Sequence, residues 1–231
     1  MNYSEAMDYL NSIAAKGSIY GLETMRLLLS EFGNPQDGLK CIHVAGTNGK
    51  GSVIAFLDSV LRKAGYKTGR YISPAVLDYR EKIQINGEYI SEDDVAELIT
   101  EIKVVTEMVR EATVFEIETI MAFLYFARAN CDYVILETGL GGEEDATNVI
   151  ANPLVSVIVS ISMDHMNILG STIEEIASCK AGIIKKNCKT VIMKQKSSVQ
   201  NVFEERCRQM NSKLTVADYD IATVKSEDIK Y

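Results

Sequence analysis

The sequence predicts an α/β domain, a mostly parallel sheet with helices on both faces. Two observations carry this. Apolar runs of the kind that form buried strands, such as LKCIHV, CDYVILET and PLVSVIVSIS, alternate with segments whose apolar residues recur at helical spacing. The unusual residues then gather where the strands end, in GTNGKGS, SPAVLDYREK, ETGLGGEEDATN and SMDHMNILG. Sheets of this class hold ligands at the carboxyl ends of their strands, so fold class and residue chemistry point to one place.

The elements follow in order. Tyr3 to Phe32 reads as two short helices around the breaker Lys16-Gly17, and GNPQDG, Gly33 to Gly38, as a loop. LKCIHV is a buried strand. Beyond the first glycine loop, SVIAFLDSVLRKAG is a helix ending at Gly65. YKTGRYIS is the second strand, closed by Ser73-Pro74, where proline blocks continuation. REKIQINGEYIS is a hairpin turning at Asn86-Gly87. Ser91 caps the next helix, with Asp94 in its first turn, and DVAELITEIKVVTEMVR continues it. FEIETIMAFLYFARAN is a helix, CDYVILET a strand, GLGGEEDATN a second glycine-rich loop and PLVSVIVSIS a strand. TIEEIASCKAGIIKK is a helix running into the strand TVIMKQ. SVQNVFEERCRQMNS is the last helix and KLTVAD the last strand. No internal repeat or low-complexity segment interrupts this order.

Composition narrows the class. Of the 231 residues, 47% are hydrophobic and 7% aromatic, enough for a real core. A net charge of -8 gives no electrostatic footprint for nucleic acid or an anionic membrane. It leaves room for an anionic substrate held by a local cluster of donors. The five cysteines are odd in number and scattered without a CxxC pair, against a disulfide framework or zinc site. The N-terminus is acidic, with no signal-like apolar block, and no apolar run has the length of a membrane span. The expectation is a soluble cytoplasmic protein.

GTNGKGS has the parts of a phosphate loop. Such a loop needs glycines for curvature, a cation for the outer phosphates, a hydroxyl for Mg²⁺ and a helix N-terminus behind it. Gly46, Gly49 and Gly51 supply the curvature, Lys50 the charge and Ser52 the hydroxyl. Neither GxxxxGK[ST] nor GxGxxG is met. The alternative is a glycine-rich turn with an incidental lysine. Lys50 argues against a dinucleotide fold, whose pyrophosphate rests on the helix end without a lysine inside the loop. The strand–loop–helix context favours a P-loop-type mononucleotide-binding domain.

Other residues carry weaker signals alone. Glu137 ends an apolar strand, where a carboxylate is costly unless paired or bound to a hard cation such as Mg²⁺. Ser73 is by spacing a plain turn serine. His165 stands alone beyond a strand, and lone histidines are more often structural hydrogen-bonders than ligands. His43, inside the first strand, is a packed core residue. Lys180 reads as a helix-end lysine set against the helix dipole, and Lys185 as a surface charge.

HVAGTNGKGSV closely resembles the ATP-binding loop of folylpolyglutamate synthases and bifunctional dihydrofolate synthases, in the wider Mur-ligase-like group of ATP-dependent amide ligases. GSIYGLETMRLLLSEFGNPQ upstream, and YISP, EKIQINGEYIS, FEIETIMAFLYFA, ETGLGGEEDATN and SMDHMNILGSTIEEIASCKAGIIK downstream, fall in that family's order. The resemblance implies that Gly46, Thr47, Asn48, Gly49, Lys50, Gly51 and Ser52 hold ATP. It implies that Ser52 and Glu137 bind one Mg²⁺ and that Ser73 helps beside the phosphates. It implies that His165 binds a second Mg²⁺ with Lys180, carrying CO₂ as a carbamate. Asn148 is left as a contact for nucleotide or metal-bound water. Lys50, His165 and Lys180 are thus the catalytic candidates. The chain departs from the family pattern at Ala75, usually histidine, at Glu143 and Glu144, usually arginine and leucine, and at Cys179, usually glutamate.

The implied reaction joins L-glutamate to the γ-carboxylate of a reduced folate, or to dihydropteroate in bifunctional members, through an acyl phosphate. The expected partners are these small molecules, with no nucleic acid or membrane, acting on a monomer. The expected domain is residues 1–231 as the N-terminal ATP-binding, Mur-ligase-like central domain, incomplete at its C-terminal end and without the glutamate-binding domain. Two alternatives stay open: a Mur-type ligase for another acid and amino acid, and a non-catalytic nucleotide-binding remnant.

Overall fold

The computed structural model describes residues 1–14 and 21–218. Its centre is an eight-stranded sheet in the order β4-β3-β2-β5-β1-β6-β7-β8. The strands are β1 (Cys41–Ala45), β2 (Thr68–Tyr71), β3 (Ile83–Ile85), β4 (Glu88–Tyr89), β5 (Tyr133–Glu137), β6 (Val155–Ile158), β7 (Lys189–Met193) and β8 (Lys213–Ala217). All neighbours pair in parallel except the β2–β3 and β3–β4 pairs. The β3–β4 pair is the expected hairpin: Asn86 and Gly87 both have positive φ, 53° and 83°, as a tight two-residue turn demands.

The helices are α1 (Tyr3–Ala14), α2 (Glu23–Glu31), α3 (Lys50–Lys63), α4 (Glu92–Met108), α5 (Val114–Arg128), α6 (Met166–Leu169), α7 (Ile173–Ala181) and α8 (Ser197–Gln209). Helix α1 and helix α2 match the expected pair, while the breaker Lys16-Gly17 lies outside the described residues. Their starts are set by local chemistry. Ser91 accepts from the Asp94 N–H at 3.0 Å, and Thr113–Glu116 and Thr172–Glu175 form capping boxes. Helix α7 stops at Ala181, before the expected end, and the chain turns through Gly182 toward β7.

The two faces of the sheet are unequally covered. On one, Cys41, Tyr71, Val134 and Leu136 pack into a large core with α1, α2, α4 and α5. Ala45, Ile158 and Ile192, on the same side, pack under α7 and α8. On the other, Ile42, Val44, Ile135 and Val159 meet α3 through Ile54, and among the described helices α3 alone covers that side. Asp58 anchors α3 to the sheet: it is buried, accepts from the Thr68 hydroxyl at 2.5 Å and pairs with Arg62 at 3.0 Å. Packing on the opposite face is equally close, since a Cβ at Gly69 would lie 2.7 Å from the Phe126 ring. The order β5-β1-β6 sets the glycine loop after β1 between the loops that follow β5 and β6.

Candidate functional site

The loop after β1 runs directly into α3. Gly46 has φ of +148°, and a Cβ there would lie 2.2 Å from Val159 Cγ2. Glycine is thus required where the loop passes the end of β6. Gly49 is the N-cap with φ of +89°, and the Val53 N–H closes the first helical bond on its carbonyl at 3.1 Å. The N–H groups of Lys50, Gly51 and Ser52 therefore occupy the first turn, where an α-helix has no acceptor of its own. Thr47 and Asn48 are stitched to the β6 loop. The Thr47 N–H donates to Ser160 at 2.7 Å, its hydroxyl to the Ser162 carbonyl at 3.2 Å, and the Asn48 amide to the Ser162 hydroxyl at 3.4 Å.

Two lysines converge on this loop. Lys50 Nζ donates to the carbonyls of Gly46 and Thr47 at 3.3 and 3.4 Å and lies 3.7 Å from Glu137 Oε1. Lys180 Nζ reaches the same Gly46 carbonyl at 3.0 Å. Lys180 stands in the last turn of α7, as the sequence reading has it, but it does not face water. It is 3% exposed and points into the sheet end, because α7 packs its last turn against the glycine loops. Burial, and then the like charge of Lys50, pull its amine down to about 8. Glu137, at the end of β5, is also buried. Burial pushes its carboxyl up, opposed by Lys50 and by the Ser73 N–H, which donates to it.

Among the described residues no three His, Cys, Asp or Glu side chains gather into a group able to hold a metal. Glu137 and the hydroxyls of Ser52 and Ser73 are nonetheless hard oxygen donors. Mg²⁺ keeps several waters and is held by one or two protein oxygens plus substrate phosphates, so this sparse set fits it. The Lys180 amine cannot ligate such a cation while protonated and bound to Gly46. His165 is exposed, has φ of 45° as the residue before α6, and lies 3.5 Å from Asp164. Asn148 has its amide donors committed to the Glu143 and Gly182 carbonyls, at 2.9 and 3.3 Å, leaving a buried Oδ1 without a partner.

Beside the loop lies a cavity of about 860 Å³, which the sequence reading did not foresee. Ser73 and Pro74 after β2, Lys82 before β3, the first turn of α5, residues 139–146 and residues 167–169 line it. Among the described residues its lining carries Glu116, Glu118, Glu143, Glu144 and Asp145 against one cation, Lys82. Lys82 is itself bound to buried Glu118 at 2.6 Å. Segments far apart in the chain build the cavity, so no local sequence motif announces it. Cys179, at one departure from the family pattern, also lines it and donates to the Leu169 carbonyl at 3.4 Å.

The sequence reading of Lys185 as a surface charge is corrected. Its Nζ donates to the Asn148 carbonyl at 3.0 Å rather than facing water. Burial, then Arg26 and Arg206, hold the amine down to about 8 against an ordinary 10.5. A lysine with a depressed folded pKa contributes stability above its unfolded pKa that is lost as pH falls through the folded one. The stability of the wild type relative to Lys185→Met should therefore rise between about pH 8 and about pH 10.5. Urea midpoints for both proteins across that window check it, and a constant difference would count against the buried placement.

A strand, a glycine loop on a helix N-terminus, the half-buried Lys50, the buried Lys180 and a strand-end carboxylate form, in an α/β domain, an arrangement suited to nucleotide phosphates. The chain belongs to the Mur ligase family: the model for the Mur ligase middle domain matches residues 44–231. Its relatives there are folate ligases. It is 46% identical over 189 residues to the dihydrofolate synthase/folylpolyglutamate synthase of Bacillus subtilis, covering 79% of this chain and 44% of that one. Among solved structures it is similar to the folylpolyglutamate synthase of Thermotoga maritima, with a TM-score of 0.85 and 40% identity over 94% of this chain and 50% of that one. It is also similar to a complex of FPGS with AMPPCP, with a TM-score of 0.89 and 33% identity over 95% of this chain and 54% of that one. The chain thus spans about half the length of the relatives it matches. Among the described residues no helix is long and apolar enough to cross a membrane.

Proposed function

We propose that this chain supplies the ATP site and the acceptor-acid pocket of a ligase that joins L-glutamate to the γ-carboxylate of a reduced folate, with dihydropteroate as a second acceptor in the same pocket. The observation that carries it is the meeting of Lys50 and Lys180 on the Gly46 carbonyl, beside Glu137. That cluster stands at the end of the sheet from which the acidic cavity opens. The family and its relatives' names supply the reaction class.

A carboxylate is a poor acyl donor, because its leaving group would be oxide. Transfer of the γ-phosphoryl group of ATP to the folate carboxylate gives an acyl phosphate and ADP. The glutamate amine then attacks the acyl carbon, loses a proton and displaces phosphate. Both steps bring anions together, so the protein must supply positive charge and position. Lys50 and the N–H groups of the first α3 turn would receive the β and γ phosphates. Ser52, Ser73 and Glu137 would hold Mg²⁺, which when bound neutralises charge on the phosphates. Lys180, with its lowered pKa, has the uncharged amine fraction that forming a carbamate requires. His165 would join it in holding a second Mg²⁺.

The cavity's electrostatics orient the acceptor. Its carboxylate-rich lining suits the neutral, N–H-bearing heterocycle of a folate, while the anionic tail belongs near Lys50 and Lys180. The departures Glu143 and Glu144 lie on this lining, so they bear on the acceptor rather than on the phosphates. In this reading residues 1–231 are the ATP-binding domain, acting with a glutamate-binding partner domain. Calorimetric titration with ATP, with and without Mg²⁺, tests the first requirement. Binding that strengthens with Mg²⁺ is expected, and no heat in either condition would remove the proposal's basis.

A further inference from the structure

His43 is a buried titratable group that the mechanism above does not use. It lies inside β1, fully buried, on the face away from α3. Its Nε2 is 2.8 Å from the Thr147 hydroxyl, 104 residues along the chain. That hydroxyl makes a short hydrogen bond to Asp145 Oδ1, which also accepts from the Thr147 N–H at 3.0 Å. The other Asp145 oxygen accepts from the Leu140 N–H at 2.8 Å. Three buried side chains therefore connect the strand that carries the glycine loop to the 139–148 loop that walls the cavity.

Burial pushes the Asp145 carboxyl up, opposed by the Thr147 hydroxyl and by the Leu140, Thr147 and Gly139 N–H groups that donate to it; with Asp145 ionised, counting protons leaves one consistent arrangement. An ionised Asp145 only accepts, so the single Thr147 hydroxyl proton is spent on it. The Thr147 oxygen can then only accept from His43, which places the imidazole proton on Nε2. Nδ1 is left bare, and it is the His43 atom with no partner in the structure. A bare acceptor there costs less than a buried N–H or a buried cation would. Burial favours the same outcome, holding the imidazole down to about 3 and hence uncharged.

We propose that His43 is a positioning residue: as the Nε2–H tautomer it directs the Thr147 hydroxyl onto Asp145, and so fixes the cavity wall that receives the acceptor acid. The choice of ligand rests on the proposed function; the tautomer and the hydrogen-bond chain do not. Asp145 in turn holds the Gly139–Leu140 backbone, which follows Glu137 by two residues. Losing the His43 donor frees the Thr147 hydroxyl to rotate and loosens the wall without touching the phosphate loop's own contacts.

The test has two independent readouts. The chain has two histidines, so long-range ¹H–¹⁵N spectra of histidine-labelled protein are simple, and His43→Gln assigns them. The Nε2–H tautomer is expected for His43, with no titration between about pH 5 and about pH 9. An Nδ1–H tautomer, or a titration in that range, overturns the proposal. The second readout is binding of tetrahydrofolate and of Mg-ATP by the same protein. His43→Phe should weaken tetrahydrofolate about tenfold and leave Mg-ATP within about threefold. His43→Gln, whose amide can replace the Nε2 donor, should restore tetrahydrofolate binding to within about threefold of wild type. If His43→Phe does not fold, the isosteric Thr147→Val takes its place with the same expected loss. Unchanged tetrahydrofolate affinity in the variant, or no rescue by Gln, overturns the positioning role. Wild-type protein that binds Mg-ATP but no folate would instead count against the proposed acceptor, and the spectra would still decide the tautomer.

Discussion

Lys50→Met should weaken Mg-ATP binding by at least about a hundredfold, near 3 kcal/mol, while the protein stays folded. Methionine keeps the length and apolar stem of lysine but removes the charge. In the free protein Lys50 spends its donors on two loop carbonyls and on Glu137, and those bonds are long, at 3.3 to 3.7 Å. They are loose enough to be exchanged for phosphate oxygens. Glu137 keeps the Ser73 N–H when Lys50 is gone, so the buried carboxylate is not left wholly unpaired. Calorimetry reads the affinity and circular dichroism the fold. Affinity within about threefold of wild type would mean that the loop does not work as a phosphate site, and would favour the non-catalytic remnant.

Gly46→Ala should have the largest effect on stability, a loss of about 2–4 kcal/mol, together with loss of nucleotide binding. Two costs add at this position. The backbone φ of +148° is one that residues with a side chain rarely adopt, and the new methyl would fall 2.2 Å from Val159 Cγ2 and 3.2 Å from the Ser160 carbonyl. Val159 belongs to the core beneath α3, so relief must come from moving the loop. The Gly46 carbonyl, which both Lys50 and Lys180 contact, would move with it. Gly51→Ala serves as the control for stability, because a Cβ there meets nothing within 4 Å. Urea unfolding of the two variants checks the ranking. Equal midpoints would show that the close approach at Gly46 is relieved cheaply.

The sheet was legible because its signals are local. Buried strands are written as apolar runs, the hairpin as Asn86-Gly87, and the α4 start as Ser91 with Asp94. The glycine loop was legible for the same reason: its glycines, lysine and serine are contiguous. What escaped depends on contacts between distant segments. Lys180 and Lys185 look alike in sequence, yet one reaches Gly46 and the other Asn148, through the packing of α7 and the turn after it. His43 reads as core, and is buried, but its partner is a threonine more than a hundred residues away. The cavity is assembled from the ends of β2 and β5, the start of α5 and the α6 loop, none of which spells it alone. His165 shows the reverse: its motif is clear, but its side chain stands exposed at the loop after β6.

On the proposed function the Lys50–Glu137–Lys180 cluster would place positive charge where an acyl phosphate forms, beside a pocket for its acid. The most direct test is a reaction with tetrahydrofolate labelled with ¹⁸O in its γ-carboxylate, together with Mg-ATP and L-glutamate. The catalyst is this chain, alone and joined to the second half of the Bacillus subtilis relative. Mass spectrometry follows both the folate and the released phosphate. The predicted result is folate lengthened by one glutamate, with one ¹⁸O carried into phosphate. Lengthened folate with unlabelled phosphate would contradict activation at this site, and no product from either folded, ATP-binding protein would contradict the assignment of the reaction itself.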